Sequence, residues 1–166
     1  MKTFALGILV IVLLSGCNTV RLESSDKDPE IVLFHSNKLL VVGMTRDTPA
    51  RIAFETRLQE LFEAEGVETV RSVDLFDVSF TESERTEEEL DEVEQQLLDR
   101  DFDAILLTKV IGSETRTSLR RKLGEIERTY EGFEEDYLLH QGIYYDPVAY
   151  EAATDYYAET SLYCIC

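Results

Sequence analysis

Three apolar runs, separated by two helix-like patterns, constrain the fold of this chain most strongly. Residues 38–45 and 102–111 are continuous stretches rich in Val, Leu and Ile, which is typical of strands covered on both faces. Residues 67–76 form a further, less regular strand-like run between them. The order β-α-β-α-β predicts an α/β fold, a small three-layer domain with a mainly parallel sheet and right-handed crossovers.

The first helix is predicted after residue 47, with Thr48 as its N-cap and Pro49 at its first position. Gly66 is expected to close it as the residue after the C-cap. The stripe expected to face the sheet consists of Ala50, Phe54, Leu58, Leu61 and Phe62.

The second helix is predicted at residues 87–99, because Thr86 and Glu89 match a capping box. Its apolar face is formed by Leu90, Val93, Leu97 and Leu98, which repeat at helical spacing. The acidic run from Glu82 to Glu94 is interpreted as the solvated side of this helix rather than as paired acid and base residues.

The pattern weakens after Gly112. Residues 113–129 are compatible with a strand extension or with a solvent-facing hairpin arm. The part at 130–157 is predicted to be irregular and Tyr-rich, and residues 156–165 to be a last strand. The domain, residues 31–166, is then either complete with an edge strand or truncated at Cys166, and we favour truncation slightly because an exposed apolar edge invites pairing with another chain.

The amino terminus has the features of an export signal. Residues 1–16 carry one charge, Lys2, then an apolar stretch at residues 4–14 and the small pair at 15 and 16. Eleven apolar residues are too few to cross a bilayer core, which needs about 20 helical residues. We therefore predict a signal peptide, and the polar residues 17–30 are expected to be a flexible linker.

Leu14-Ser15-Gly16-Cys17 resembles the lipobox of bacterial lipoproteins. The resemblance implies that the Cys17 thiol is lipidated with fatty acyl chains such as palmitate, and that residues 1–16 are then removed. Asn18 follows the cysteine where Asp would favour inner-membrane retention, so the resemblance favours the outer membrane, with the domain facing the periplasm.

The domain itself has a second resemblance. Residues 41–45 (VVGMT), Arg51-x-x-Phe54-Glu55 and residues 102–106 (FDAIL) look like a group of uncharacterised bacterial lipoproteins. The broader architecture, over roughly residues 38–117, resembles the TolB amino-terminal domain. This resemblance implies a role in envelope assembly and carries over no catalytic residue.

The charge excludes one class of partner. Removal of residues 1–16 takes away one lysine and leaves 15 basic against 34 acidic side chains, a net charge of −19. Such a field repels nucleic acid and anionic headgroups. A cationic partner and a merely soluble surface both remain open.

Candidate sites for small molecules are weak. The Gly43-Met44-Thr45 turn ends the first strand, where open α/β sheets bind ligands, but the chain contains neither G-x-G-x-x-G nor G-x-x-x-x-G-K-[ST]. Residues 45–47 are interpreted as a turn and helix start. Arg51 and Glu55, one helical turn apart, are expected to form a surface pair.

Metal and hydrolase chemistry also lack support in the sequence. Asp99-x-Asp101-x-Asp103 resembles the start of a calcium loop, but Ala104 replaces the glycine and Val110 the final glutamate. The only histidines are His35 and His140, too few for a His-rich metal site. The remaining cysteines are Cys164 and Cys166, whose disulfide would be strained on a strand and which supply half of a zinc shell; they are interpreted as strand residues or an unstructured tail.

Two functions follow, with no catalytic residue, no cofactor and no metal ligand expected. The first is a non-enzymatic envelope lipoprotein, fixed to the membrane at Cys17, whose domain docks onto a protein partner. The alternative is a small-molecule or glycan-binding domain, or an enzyme, using the strand ends near Thr45 and the Tyr-rich segment. Tyrosines suit interfaces and sugar stacking, but Tyr137, Tyr144, Tyr145, Tyr156 and Tyr157 are more simply explained as cover for the sheet edge.

Overall fold

The computed structural model describes residues 20–29, 33–45, 47–76, 83–112, 132–145 and 157–165, the last three residues of helix 133–145 by their backbone only. The chain divides into two units, Met1–Phe34 and His35–Cys166. In the first unit, residues 20–29 are exposed and form neither helix nor strand. The predicted signal peptide and Cys17 lie outside the described residues. Among the helices that are described, none has the length and apolar character required to cross a membrane.

The second unit is an α/β domain built on a four-stranded sheet. Its elements in chain order are β1 (Lys38–Met44), α1 (Thr48–Ala64), β2 (Glu68–Arg71), α2 (Ser72–Leu75), α3 (Glu87–Leu98), β3 (Ala104–Gly112), α4 (Phe133–Tyr145) and β4 (Tyr157–Cys164). The strand order is β2-β1-β3-β4. β1 is parallel to both β2 and β3, and β4 is antiparallel to β3. The predicted α/β class and mainly parallel sheet are confirmed.

Helices lie on both faces of the sheet. α3 and α4 cover the face that holds the main hydrophobic core, which includes Leu40, Val42, Leu90, Val93, Leu97, Ile105, Leu107, Phe133, Tyr137 and Ile165. α1 covers the opposite face over β1 and β2, and Gly43 lies directly against it: a Cβ built there would lie 3.1 Å from the Phe54 ring. Glycine at this position therefore lets α1 approach the sheet closely.

The ends of α1 follow the sequence with one correction. The N-cap is Asp47, not Thr48: the Asp47 carboxylate accepts a hydrogen bond from the backbone N–H of Ala50 at 3.0 Å. A carboxylate one residue earlier satisfies this N–H and moves the helix start by one position. Gly66 has φ +86° and donates its N–H to the Glu63 carbonyl at 3.0 Å, which confirms its predicted role at the helix end.

The predicted packing face of α1 is wrong. Its only fully buried residue is Glu55, whereas Ala50, Phe54 and Leu61 are exposed and Leu58 and Phe62 are half-buried. The predicted surface pair is also wrong, because the Glu55 side chain is fully buried and that of Arg51 is 11 % exposed. The helix is turned about its axis so that a polar stripe faces the sheet.

The second predicted strand, residues 67–76, is shorter in the structure. β2 ends at Arg71, and Ser72–Leu75 forms the short helix α2. The cause is local hydrogen bonding: Val73 N–H donates to Glu55 Oε2 at 3.0 Å, and Arg71 donates through Nε and Nη2 to the two carboxylate oxygens of Asp74. These contacts stabilise a helical turn where the apolar pattern alone predicts a strand.

α3 and β3 agree with the sequence. The capping box at Thr86 and Glu89 is present in both directions, and Leu90, Val93 and Leu97 are buried. The exposed acidic side chains of residues 87–92 confirm the solvated face of this helix over the residues described. β3 begins at Ala104, two residues later than predicted, and ends at Gly112.

The last third departs from the sequence reading in part. Residues 133–145 form α4, although this stretch is predicted to be irregular; Phe133 and Tyr137, one turn apart, are buried in the core and explain the helix. The two alternatives for residues 113–129 lie outside the described residues. The last strand is confirmed as β4.

Cys164 is the final residue of β4 and takes part in a disulfide bond, where the sequence favours unpaired cysteines. The other cysteines of the chain, Cys17 and Cys166, lie outside the described residues.

Candidate functional site

Glu55 is the centre of a buried polar cluster on the α1 side of the sheet, the Glu55 cluster. Its Oε1 accepts hydrogen bonds from the backbone N–H of Gly43 at 2.9 Å, Arg51 Nε at 3.0 Å and Ser72 Oγ at 2.6 Å. Its Oε2 accepts from the Val73 N–H at 3.0 Å. Arg51 also donates to the Ser72 hydroxyl at 2.6 Å. One carboxylate therefore joins β1, α1 and α2.

The sheet register explains why a carboxylate is needed here. β2 pairs with β1 only as far as Val41, opposite Arg71, and then turns into α2. The N–H of Gly43, beyond that point, finds its acceptor in Glu55 instead of in a strand. A buried N–H without a partner would cost about 1–3 kcal/mol, so the cluster completes the sheet edge where β2 ends.

The Glu55 cluster lies at the carboxyl end of β1, where open α/β sheets bind ligands. Arg51 and Ser72 line a cavity of ≈ 30 Å³ whose other walls are mainly apolar, among them Met44, Phe76 and Val93. That volume suits one or two water molecules, whereas small-molecule sites measure about 300–1,000 Å³. In the part of the chain that is described, this cavity is too small for a nucleotide or a sugar.

Thr45, the other predicted feature of this edge, takes part in the turn. Its N–H donates to the Gly43 carbonyl at 3.1 Å, and its hydroxyl accepts from the Asp47 N–H at 3.3 Å. Asp47 in turn caps α1. These contacts agree with a turn and helix start, and Arg46 lies outside the described residues.

A second buried polar cluster, the Lys109 cluster, joins β3, α4 and β4. Lys109 extends from β3 on the same face as Ile105 and Leu107, and its side chain is 1 % exposed. Its amine donates to both oxygens of the fully buried Asp136 and to Glu159 Oε1, the latter at 3.2 Å. Tyr163 also donates its hydroxyl to Asp136, and His140 Nδ1 lies 3.0 Å from Asp136 Oδ1.

The donors around Asp136 set its charge state. Burial alone would raise the pKa of Asp136, but hydrogen bonds from His140, Lys109 and Tyr163 outweigh it and lower this pKa below its ordinary value. Burial, followed by the hydrogen bond to Asp136, raises the pKa of the Tyr163 phenol. Asp136 is therefore an ionised acceptor held by three donors, a poor proton acceptor because taking up a proton would break those bonds.

Glu159 is the exception in the Lys109 cluster. Its Oε1 accepts from Lys109 and, at 3.1 Å, from Ser161. Its Oε2 is the one buried side-chain oxygen that lacks a hydrogen-bond partner within the described ranges. In the same ranges, His, Cys, Asp and Glu side chains do not converge in groups of three or more that could hold a metal ion.

The aspartates at the end of α3 do not form a calcium loop. Asp99 is the C-cap of α3 and Asp101 has φ +64°. The Asp103 carboxylate accepts from Ser36 Oγ at 2.6 Å and from the N–H groups of Asn37 and Lys38. Burial would raise the pKa of Asp103, but these hydrogen bonds lower it. Asp103 thereby fastens the start of the domain to the α3–β3 turn.

The sequence patterns do not single out Lys109, Asp136 and Glu159 as members of a polar cluster. A signal exists for Lys109, since the strand period of two places it in line with Ile105 and Leu107, on the face expected to be buried. A lysine there needs a counterion. Nothing in the local pattern indicates which of the 34 acidic residues supplies it.

Other predicted residues are distributed as follows. Cys17, the predicted lipidation site, lies outside the described residues, and His35 is exposed. Of the tyrosines, Tyr137 is a core residue and Tyr157 and Tyr163 are half-buried on β4. The structure thus uses the described tyrosines mainly for packing rather than gathering them into an exposed aromatic surface.

Comparison with known proteins gives no relative. No family model matches the chain, and neither a curated protein nor a solved structure is detectably similar to it.

Proposed function

We propose that this protein is a bacterial envelope lipoprotein, fixed to the outer membrane by acyl chains on Cys17, whose α/β domain binds a protein partner without catalysis. The observation that carries the proposal is the Leu14-Ser15-Gly16-Cys17 motif at the end of an apolar stretch too short to span a bilayer. Several acyl chains, at about 0.8 kcal/mol per buried methylene, hold a domain on a membrane without a spanning helix.

The exposed residues 20–29 support a tether between the anchor and the domain. From Cys17 to His35, before the residues bound to Asp103, a flexible chain has a root-mean-square reach of about 23 Å. This length lets the domain leave the membrane surface and meet a partner in the periplasm. The negative charge favours such separation, because anionic headgroups repel the domain.

The absence of catalysis is proposed from the two polar clusters. Glu55 and Asp136 are both saturated by donors that hold the fold together, and the cavity beside Arg51 has room for water only. Both carboxylates therefore serve to stabilise the domain.

Metabolic labelling tests the anchor. The precursor and a Cys17→Ser variant are expressed in a bacterium with two membranes, fed a palmitate analogue, and fractionated. We expect label on the wild-type protein in the outer-membrane fraction and none on the variant. Label that persists in the variant, or an intact residue 1 on a cytosolic protein by mass spectrometry, would overturn the anchor.

The disulfide of Cys164 provides an independent check. An acylated Cys17 thiol cannot also form a disulfide, so the proposal requires Cys166 to be the partner of Cys164. Because β4 ends at Cys164, the strand geometry that disfavours this pair stops there. Peptide mapping without reductant should yield a peptide carrying both residues, and a Cys17–Cys164 bond would contradict acylation.

A thermal-shift screen of nucleotides and cell-wall sugars tests the other part of the proposal, that the domain binds a protein partner and not a small molecule. We expect no ligand to raise the Tm of the processed protein. A reproducible rise with one ligand class would favour the alternative, a binding domain or enzyme working at the strand ends near Thr45.

A further inference from the structure

The buried pair of Lys109 and Asp136 places an amine against a carboxyl group inside the domain. The Lys109 side chain is 1 % exposed and that of Asp136 is fully buried. The amine donates to both carboxylate oxygens, so Nζ lies beside the carbon that bears them. An amine and a carboxyl group can condense to an amide, and a fixed geometry promotes such a step with an effective concentration of about 10⁵–10⁸ M.

Glu159 supplies a base next to that amine. It lies directly opposite Lys109 in the antiparallel pairing of β3 and β4, and its Oε1 accepts a hydrogen bond from the amine at 3.2 Å. Its Oε2 is buried and has no hydrogen-bond partner within the described ranges. Glu159 is therefore not saturated by donors as Asp136 is, and it is the carboxylate of the Lys109 cluster that can take up a proton.

Two donors besides the lysine face the oxygens of Asp136. Tyr163 donates its hydroxyl to Oδ2, and His140 Nδ1 lies 3.0 Å from Oδ1. Attack of an amine on Asp136 Cγ moves negative charge onto one of these oxygens, where donors that are already in place stabilise it. The Tyr163 ring packs edge-on against Phe133, with the ring centroids 6.3 Å apart, and this apolar contact helps to keep out the water that would hydrolyse an amide.

We propose that Lys109 and Asp136 form an intramolecular isopeptide bond, with Glu159 as the group that transfers the proton. The inference goes beyond the proposed function and does not rest on it. The reaction takes place once in each molecule and on the chain itself, so the domain still acts on no substrate.

The atoms and charges of the reaction balance. One proton moves from the Lys109 ammonium to an oxygen of Asp136, which neutralises both groups. Nζ then attacks Asp136 Cγ and forms the C–N bond. Glu159 takes a second proton from Nζ and returns it to the hydroxyl that leaves Cγ. The products are an amide and one water molecule, Glu159 is ionised as before, and no oxidant or other reactant is required.

Bond formation removes a buried ion pair. Despite the burial of Asp136, the donors around it lower its pKa, so the ion pair is the main form before the reaction and the neutral pair is a minor one. Two buried charges carry a desolvation penalty that a neutral amide does not carry. The amide would also link β3 to α4 covalently, between side chains 27 positions apart in the sequence.

Mass spectrometry tests for the bond. The sample is the chain of residues 17–166 with Cys17→Ser, which keeps lipid out of the mass, and its disulfide is reduced before the measurement. We expect the intact protein to be lighter than its sequence by one water molecule. Trypsin should not cleave after Lys109, and the digest should contain residues 101–116 joined to residues 129–166 as one branched species.

Variants assign the roles. Lys109→Ala and Asp136→Ala should restore the full mass, but each leaves a buried charge without its partner and destabilises the domain. Glu159→Gln keeps the size of the side chain and cannot carry the proton, so the ratio of linked to unlinked protein should fall at least tenfold while the far-UV circular dichroism is unchanged. Glu68→Gln is the matched control, because Glu68 binds Lys38 at 3.1 Å at the surface, and it should be linked as fully as the wild type.

Three outcomes would overturn the proposal. A reduced wild-type protein of full mass, cut by trypsin after Lys109, would leave only an ion pair. Loss of water confined to residues 129–166 would be a succinimide within that peptide. Equal linkage in Glu159→Gln and the wild type would remove Glu159 from the reaction. None of these outcomes bears on labelling of Cys17 or on a protein partner, so this proposal and the proposed function fail separately.

Discussion

α1 and α3 pack on opposite faces of one sheet and bury opposite kinds of residue. α3 buries Leu90, Val93 and Leu97, as its amphipathic pattern predicts. α1 buries only Glu55 and leaves Phe54 and Leu61 exposed. The difference teaches that a helix is oriented by the costliest group that it covers. α3 covers apolar side chains that must be removed from water, whereas α1 covers the Gly43 and Val73 N–H groups, which have no strand partner and need an acceptor.

The largest test of this comparison is Glu55→Ala. The change leaves the Arg51 guanidinium without its buried carboxylate and removes the acceptor of the Gly43 and Val73 N–H groups. We expect a loss of about 3–5 kcal/mol in the free energy of unfolding, measured with urea by circular dichroism. Glu63→Ala, exposed on the same helix, should stay within about 0.5 kcal/mol. A loss for Glu55→Ala as small as that of the control would refute the role of Glu55 as the residue that orients α1.

Paired leucine truncations give the next largest effect. Leu90→Ala in α3 removes a buried side chain and should cost about 2–5 kcal/mol. Leu61→Ala in α1 removes one that is half in solvent, and should cost less than about 1 kcal/mol. The readout is again the urea unfolding free energy of each variant. Equal losses at the two positions would show that the Leu61 side chain is buried like that of Leu90 and would contradict the comparison.

The sequence predicts the α3 side of the sheet better than the α1 side. Apolar periodicity, the capping box at Thr86 and the run at residues 102–111 predict the α3 side of the domain correctly, because each is a local signal. The α1 side depends on where β2 stops, a tertiary fact that leaves the Gly43 N–H to Glu55. The spacing of Arg51 and Glu55 is visible in the sequence, but its burial is not.

The Lys109 cluster is predictable from the sequence only in part. Strand alternation places Lys109 on a buried face, so a buried charge is predictable. Its partner Asp136 comes from α4, a helix whose start among acidic residues and tyrosines resembles an irregular segment. The sequence therefore predicts that a partner is needed without identifying it.

Removal of the caps is expected to have a smaller effect and to compare the two helix starts. Thr86→Ala removes one side of the capping box of α3, and Asp47→Ala removes the acceptor for the Ala50 N–H of α1. Each should lower the unfolding free energy by about 1 kcal/mol, since in both helices the N-cap side chain accepts from one backbone N–H. Thr48→Ala, the residue that the sequence favours as the cap of α1, should change stability by less than half of that. A larger loss for Thr48→Ala than for Asp47→Ala would restore the sequence prediction.

The smallest expected effect concerns Glu94 on the acidic side of α3, and it is measured as the pH dependence of the unfolding free energy. Burial, and then the charge of Asp91, raises the pKa of Glu94. Its ionised form is therefore disfavoured in the folded state, and the cost is present above its folded pKa and disappears below its unfolded value of about 4.3. Glu94→Gln should thus stabilise the domain slightly at pH 7, by less than about 0.5 kcal/mol, and have no effect at pH 3.

Asp103 supplies the opposite sign for the same measurement, because its pKa is lowered by the hydrogen bonds from Ser36, Asn37 and Lys38 despite its burial. Its contribution to stability is present above the unfolded value of about 3.9 and is lost as the pH falls through the folded pKa. Asp103→Asn should therefore destabilise the domain at pH 7 and progressively less toward pH 2, in urea titrations at each pH. Burial raises the pKa of Glu94, whereas hydrogen bonds lower that of Asp103, so the two variants should change the unfolding free energy with pH in opposite directions. Changes in the same direction would contradict both assignments.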